Sequence, residues 1–279
     1  MAATSPEQRV SWVVGLAVLA TAAGLLAGCA SGQLTSAGGL TSDATPIVSP
    51  GSAYAVPTAA TKADGTFNPF RDVHDVGSGP RQIIASPTLA EVLAPAGPLP
   101  EMALGRADAP VTVVKYASLT CPHCRKFHRE IFPRFKRAYI DTGKVRFILR
   151  EFPIGRSSGN ATIALRCVPP EKYFTLYGRF LENQSKWVSQ EVRLEAIHSI
   201  AAEVGLSRAA FDDCLKNQGM INGLALIKDR GRTLGIIGTP NFFVADKLVK
   251  SVLTYDELAA MVDAELTGSA AAAVAQKRQ

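Results

Sequence analysis

Apolar positions fall into three regimes along the 279 residues. Residues 10–26 form a mostly apolar run, residues 30 to about 80 carry no sustained period of 2 or 3.6, and after a proline-spaced stretch over 87–100 an ordered start is expected no later than about Leu104. Val111-Thr112-Val113-Val114-Lys115-Tyr116 is β-branched and aromatic, and nearly all apolar, as a strand covered on both faces should be. Phe127, Ile131 and Phe135 then recur at i, i+4 and i+8, which predicts a helix beginning at or just before Cys121. Thr120 is placed to cap it, Pro122 is tolerated in its first turn, and Pro133 predicts a kink. Residues 145–151 read as the next strand.

Residues 154–235 are helical in pattern. Leu194, Ile197, Ala201 and Val204 mark one helix with Gly205 at its end, and Ser207 opens another that carries Phe211, Cys214 and Leu215. A third carries Ile221, Leu224, Ile227 and Leu234. Two apolar runs, residues 242–244 and 248–252, joined through Asp246-Lys247, predict a hairpin, and residues 255–266 a closing helix. Strand, helix, strand, helical block, hairpin and helix make an α/β fold with an inserted helical subdomain. The domain is expected over residues 104–268, with a flexible, mostly disordered Ser/Thr/Ala/Gly/Pro-rich tether over residues 30–103 and a frayed tail over 269–279.

The 47% apolar content leaves room for one sizeable core, even after the N-terminal run takes its share. A net charge of +6 is spread among interleaved acids, so a solvated surface fits better than a nucleic-acid stripe. The N-terminal run follows a short segment whose one basic side chain is Arg9, the shape of a signal peptide, and it ends in Leu26-Ala27-Gly28-Cys29, similar to a bacterial lipobox. Residues 1–29 are therefore read as a signal peptide with Cys29 as its lipidation site. An uncleaved membrane anchor and an ordinary secretion signal are the alternatives, with Gly15 and Gly24 weakening a spanning helix. Each places the rest of the chain in the periplasm or cell envelope, where disulfides persist.

The chemistry-bearing motif is Cys121-Pro122-His123-Cys124. Two thiols separated by two residues at a helix start can close a reversible disulfide, and only a thiolate attacks one. The helix N-terminus favours negative sulfur at Cys121, and His123 adds a donor or a positive charge. The runs Tyr116-Ala117-Ser118-Leu119-Thr120 before this motif, Arg150-Glu151-Phe152-Pro153, and Gly238-Thr239-Pro240-Asn241-Phe242-Phe243 appear in an order that resembles the DsbA-like branch of the thioredoxin fold, over residues 104–268. That resemblance implies a thiol:disulfide oxidoreductase. Cys121 would be the attacking thiol, Cys124 the buried resolving thiol, Pro240 a cis proline beside the sulfurs, and Thr239 a backbone partner for bound peptide.

One position departs from the family. Six residues before the first cysteine, where the family usually has an acid, this chain has Lys115. Its ammonium would favour the thiolate, or the side chain snorkels to solvent. Cys167 and Cys214, each on a predicted helix of the insertion, read as a structural disulfide rather than a second active pair. The expected function is disulfide donation to exported proteins with thiols, by a monomer re-oxidised by a membrane redox partner, with the Cys121–Cys124 disulfide in place of any cofactor or metal. The alternatives are a reductase or isomerase kept reduced by a membrane partner, and a copper-binding thiol protein, although His and Met number only four each. A zinc site of Cys121, Cys124 and His128 lacks a fourth ligand; His74, His198 and the sequon Asn160-Ala161-Thr162 are read as incidental.

Overall fold

A computed structural model describes residues 83–276, with side chains through residue 269. The proposed signal peptide, Cys29, His74 and residues 30–82 lie outside the described residues. Strands β1 (Met102–Leu104), β2 (Val111–Ala117), β3 (Val145–Glu151), β4 (Asn241–Val244) and β5 (Lys247–Val249) form one sheet in the order β1-β3-β2-β4-β5. β2 and β3 run parallel, from Val111 beside Val145 to Ala117 beside Glu151, and the other neighbours are antiparallel. A parallel pair needs a crossover. Here it is a helical run of α2 (Pro122–Lys126), a π-helical turn (Phe127–Ile131), α3 (Phe132–Phe135) and a second π-helical turn (Lys136–Ile140).

The expected kink at Pro133 takes the form of those wide turns. Proline has no N–H and crowds the preceding carbonyls, so the helix widens ahead of it: the Phe132 N–H reaches back five residues to the Phe127 carbonyl. The insertion between β3 and β4 contains α4 (Gly155–Cys167), α5 (Pro170–Glu182), α6 (Gln184–Trp187), α7 (Leu194–Ala202), α8 (Arg208–Leu215) and α9 (Gln218–Thr233). Ser207 caps α8 by accepting from the Ala210 N–H, and Gly205 follows α7 at φ +94°. A disulfide between Cys167 and Cys214 fastens the end of α4 to α8, with Cα atoms 6.2 Å apart.

Several boundaries differ from expectation. Part of the stretch read as tether is ordered: α1 (Leu89–Leu93) has a reciprocal cap between Thr88 and Glu91, and β1 extends the sheet beside β3. Three residues of strand and five of helix are too short to set a period, so patterning alone does not reveal them. The hairpin turns at Ala245 and Asp246, with Ala245 at φ +53°, and β5 ends at Val249 rather than Val252. Helix α10 (Tyr255–Gln276) continues through most of the segment expected to fray, since its Ala-rich end favours helix without needing an apolar face.

Each face of the sheet carries a core. Alternation along β2 sends Val114 and Tyr116 to the smaller one, with Val92, Ile148, Phe152, Leu234, Ile236 and Phe243. Val113 and Ala117 face the larger core, together with Cys124, Phe127, Phe135 and the insertion. Lys115 lies between them in sequence, so it points into that larger core.

Candidate active site

β2 delivers the chain through Ser118, Leu119 and Thr120 to Cys121. Pro122 occupies the first helical position, which makes Cys121, not Thr120, the cap: its Sγ accepts from the Cys124 N–H at 3.4 Å. Thr120 instead donates its hydroxyl to the Ile154 carbonyl at 3.3 Å. The loop is held from several sides. The Ser118 hydroxyl lies 2.8 Å from that of Ser158 and accepts from the Ile154 N–H at 3.2 Å. From the insertion, the buried amide of Gln184 donates to the carbonyls of Leu119 and Cys121 at 2.7 and 3.1 Å.

Across the sheet the Thr239–Pro240 bond is cis, and the Cys121 thiol donates to the Thr239 carbonyl at 3.1 Å. Both cysteines are free thiols, Cys121 half-buried and Cys124 fully buried. Their environments push them apart. Hydrogen bonding with the Cys124 side chain, the Thr239 side chain and the backbone of Cys124 and His123 outweighs burial and holds the Cys121 thiol down at about 5. Burial raises the Cys124 thiol well above its ordinary value, with hydrogen bonding to Cys121 adding to the rise. Cys121 is thus a thiolate at neutral pH and Cys124 a thiol, an ordered pair of nucleophile and resolving group. The side chain of His123 is exposed to solvent.

Lys115 does not snorkel. It is 1% exposed, with its ammonium 4.2 Å from the centre of the Phe127 ring and donating to the Tyr177 hydroxyl at 3.4 Å. Burial lowers it to about 8, against the pull of the two sulfurs. His128, taken above as a possible metal ligand, stacks on Phe132 and meets Tyr177 edge-on; burial and then the Lys115 charge bring it down to about 4. His198 is half-buried against Phe211.

Below the loop, Glu151 at the end of β3 pairs with Arg166 of α4 through Oε1 and, at 2.8 Å, Oε2, and accepts from the Tyr173 hydroxyl at 2.7 Å. Sequence reasoning missed Gln184, Ser158 and this triad, because each bond joins residues at least 15 positions apart. The burial of Lys115 was readable from the alternation of β2.

Residues 99–264, more than half of the chain, match the thioredoxin family. The chain belongs to the thioredoxin family. The chain is 35% identical over 147 residues to a putative protein-disulfide oxidoreductase of Rickettsia conorii, covering 52% of this chain and 53% of that protein. It is 27% identical over 170 residues to disulfide bond formation protein D of Bacillus subtilis, covering 59% and 77%. The matched region spans about half the length of the Rickettsia relatives. Among solved structures, alpha-DsbA1 of Wolbachia pipientis is 29% identical with a TM-score of 0.59, covering 66% of this chain and 98% of that one. The described domain therefore matches nearly the whole of that relative's fold. Among the described residues no helix is long and apolar enough to cross a membrane.

Proposed function

We propose that this chain is an extracytoplasmic thiol:disulfide oxidoreductase that donates the Cys121–Cys124 disulfide to exported proteins. The observation that carries the reading is the opposed ionisation of the two thiols beside a cis proline: Cys121 is accessible and held at about 5, while Cys124 is buried and raised. Stabilising the Cys121 thiolate stabilises the reduced form, which makes the disulfide a stronger oxidant. A client thiolate attacks Cys121 Sγ, Cys124 Sγ leaves, and a second client thiol resolves the mixed disulfide to release an oxidised client and reduced protein. Thr239 and Pro240 flank the attacked sulfur, and the Thr239 backbone is placed to meet client peptide.

The names of the relatives support this direction. A lipid on Cys29 would hold the protein to the membrane of a cell envelope, and a membrane redox partner would restore the disulfide. The test is equilibration of the purified protein with glutathione. A reduction potential nearer roughly −120 mV than roughly −270 mV, together with oxidation of a reduced, unfolded polypeptide, is expected; a potential near the lower figure overturns the oxidase reading. Metabolic labelling with a palmitate analogue should mark the wild-type chain and not Cys29→Ser.

A further inference from the structure

Gln184 is 5% exposed, belongs to the helical insertion, and directs its amide at the loop that carries Cys121. Its Nε2 donates to the Leu119 carbonyl at 2.7 Å and to the Cys121 carbonyl at 3.1 Å, across 65 and 63 positions of sequence. Both acceptors are carbonyl oxygens, so the NH2 end of the amide faces the loop and both of its protons are used there. The glutamine is itself well fixed. It opens α6, where its own carbonyl accepts from the Val188 N–H at 2.9 Å. The fully buried Trp187 of the same helix donates from Nε1 to the Phe180 carbonyl at 2.9 Å and meets the Phe180 ring edge-on.

Cys121 caps α2 from an extended backbone, φ −75° and ψ 121°, and that ψ turns its sulfur onto the Cys124 N–H. The carbonyl whose direction ψ sets is the one that Gln184 holds. In the disulfide form the S–S bond to Cys124 fixes the sulfur by itself. In the reduced form, with both thiols free as in this structure, that bond is gone and the hold on the backbone takes over. We propose that Gln184 is a positioning residue for the reduced cysteine pair: by holding the Leu119 and Cys121 carbonyls it keeps Cys121 in its capping geometry once the disulfide has opened, and so raises the oxidising strength of that disulfide. This rests on the oxidoreductase reading.

Two effects act in the same direction. The amide keeps the sulfur on the Cys124 N–H at the helix start, where a thiolate is favoured. Its proton also covers the Cys121 carbonyl oxygen, the negative end of a dipole on the same residue as the anion. The disulfide, which has no anion and is fixed covalently, needs neither. Gln184 therefore favours the reduced form over the oxidised one, and a disulfide whose reduced form is favoured is the stronger oxidant. The Arg125 N–H, which reaches the Cys121 carbonyl at 3.2 Å, holds the same oxygen from the helix side but leaves that of Leu119 to the insertion.

The test compares the full chain with Gln184→Met, which keeps the length and loses both donors, and with Gln184→Glu, which keeps the shape and at most one donor. Each is measured for the pH midpoint of Cys121 alkylation, for its potential against glutathione, and for its melting temperature in both redox forms. Gln184→Met should raise the midpoint by about one pH unit, a roughly tenfold loss of thiolate stabilisation and the size of one hydrogen bond. The potential should fall by about 30 mV, which is that tenfold converted for a two-electron couple. Melting should be lowered more in the reduced than in the oxidised protein. Gln184→Glu should move the midpoint the same way, since a carboxylate offers no donor and a carboxylic acid a single O–H. A merely structural role predicts equal melting losses in the two forms with midpoint and potential unmoved, and that result overturns the assignment. If Gln184→Met does not fold, an unmoved midpoint in Gln184→Glu overturns it instead. A moved midpoint in a protein that fails to oxidise a polypeptide sinks the oxidase reading alone, and client oxidation with Gln184 variants matching the wild type in midpoint and potential sinks this one alone.

Discussion

At the scale of single residues, the site works by setting two like groups in opposite environments. Alkylation of the reduced protein by iodoacetamide should modify Cys121 with a midpoint near pH 5 and leave Cys124 unmodified in the native state; a midpoint near the ordinary thiol value of 9.0 would remove the basis for the proposed chemistry. The sign of the linked stability follows. Cys121 titrates lower when folded than when unfolded, so its ionisation supports the reduced protein fully above about pH 9, and that support is lost as pH falls through about 5. The oxidised protein lacks the titrating thiol. Melting temperatures of the reduced form should therefore fall relative to the oxidised form between pH 7 and pH 4. The two cysteines and Thr239-Pro240 were legible in the sequence because their chemistry is local and recurs as a motif. Lys115 was half legible: its identity marked a departure and a strand covered on both faces implied its burial, while its partners Phe127 and Tyr177 come from other elements.

Elements were legible in proportion to the length of their pattern. The β2 and β3 spans and the cap at Ser207 follow from alternation and capping chemistry, whereas α1 and β1 are held by contacts with distant segments. Arg150 of β3 shows how: its guanidinium donates to the Val92 carbonyl at 2.7 Å and the Ala94 carbonyl at 3.3 Å, fastening the segment around α1 to the sheet. Helix α9 approaches the smaller core through Gly231, where an added Cβ would stand 2.7 Å from Tyr116 Cε1 and 3.2 Å from Phe152 Cδ2. Gly231→Ala should therefore destabilise the domain by about 1–3 kcal/mol in urea unfolding, although alanine is the better helix former. A neutral or stabilising outcome would mean that α9 sits further from the sheet. The triad at the end of β3 is more sensitive. Removing one partner strands the other charge in the core, so Glu151→Gln should cost roughly 3–5 kcal/mol.

Across the whole molecule, long-range polar contacts tie the helical insertion to the thioredoxin sheet, while a disulfide fastens the insertion to itself. The Cys167–Cys214 bridge closes a loop of 47 residues. Loop-closure entropy then assigns it about 4 kcal/mol, and the Cys167→Ala/Cys214→Ala protein should lose a comparable amount in denaturant while its Cys121 alkylation midpoint stays near 5. A shifted midpoint would show that the bridge reaches the active site. The overall α/β plan and the presence of an insertion were visible in the sequence, since they follow from the succession of periods. What joined the parts was not, because Gln184 offers no local pattern that would announce its partners.

Gln184 stands in the insertion yet holds two carbonyls of the backbone that carries the nucleophile, at 2.7 and 3.1 Å. The insertion is thus a handle on the chemistry. Through that one amide the cysteine loop inherits the position of the helical subdomain, so whatever fixes α6 also fixes the backbone on which the first thiol is carried.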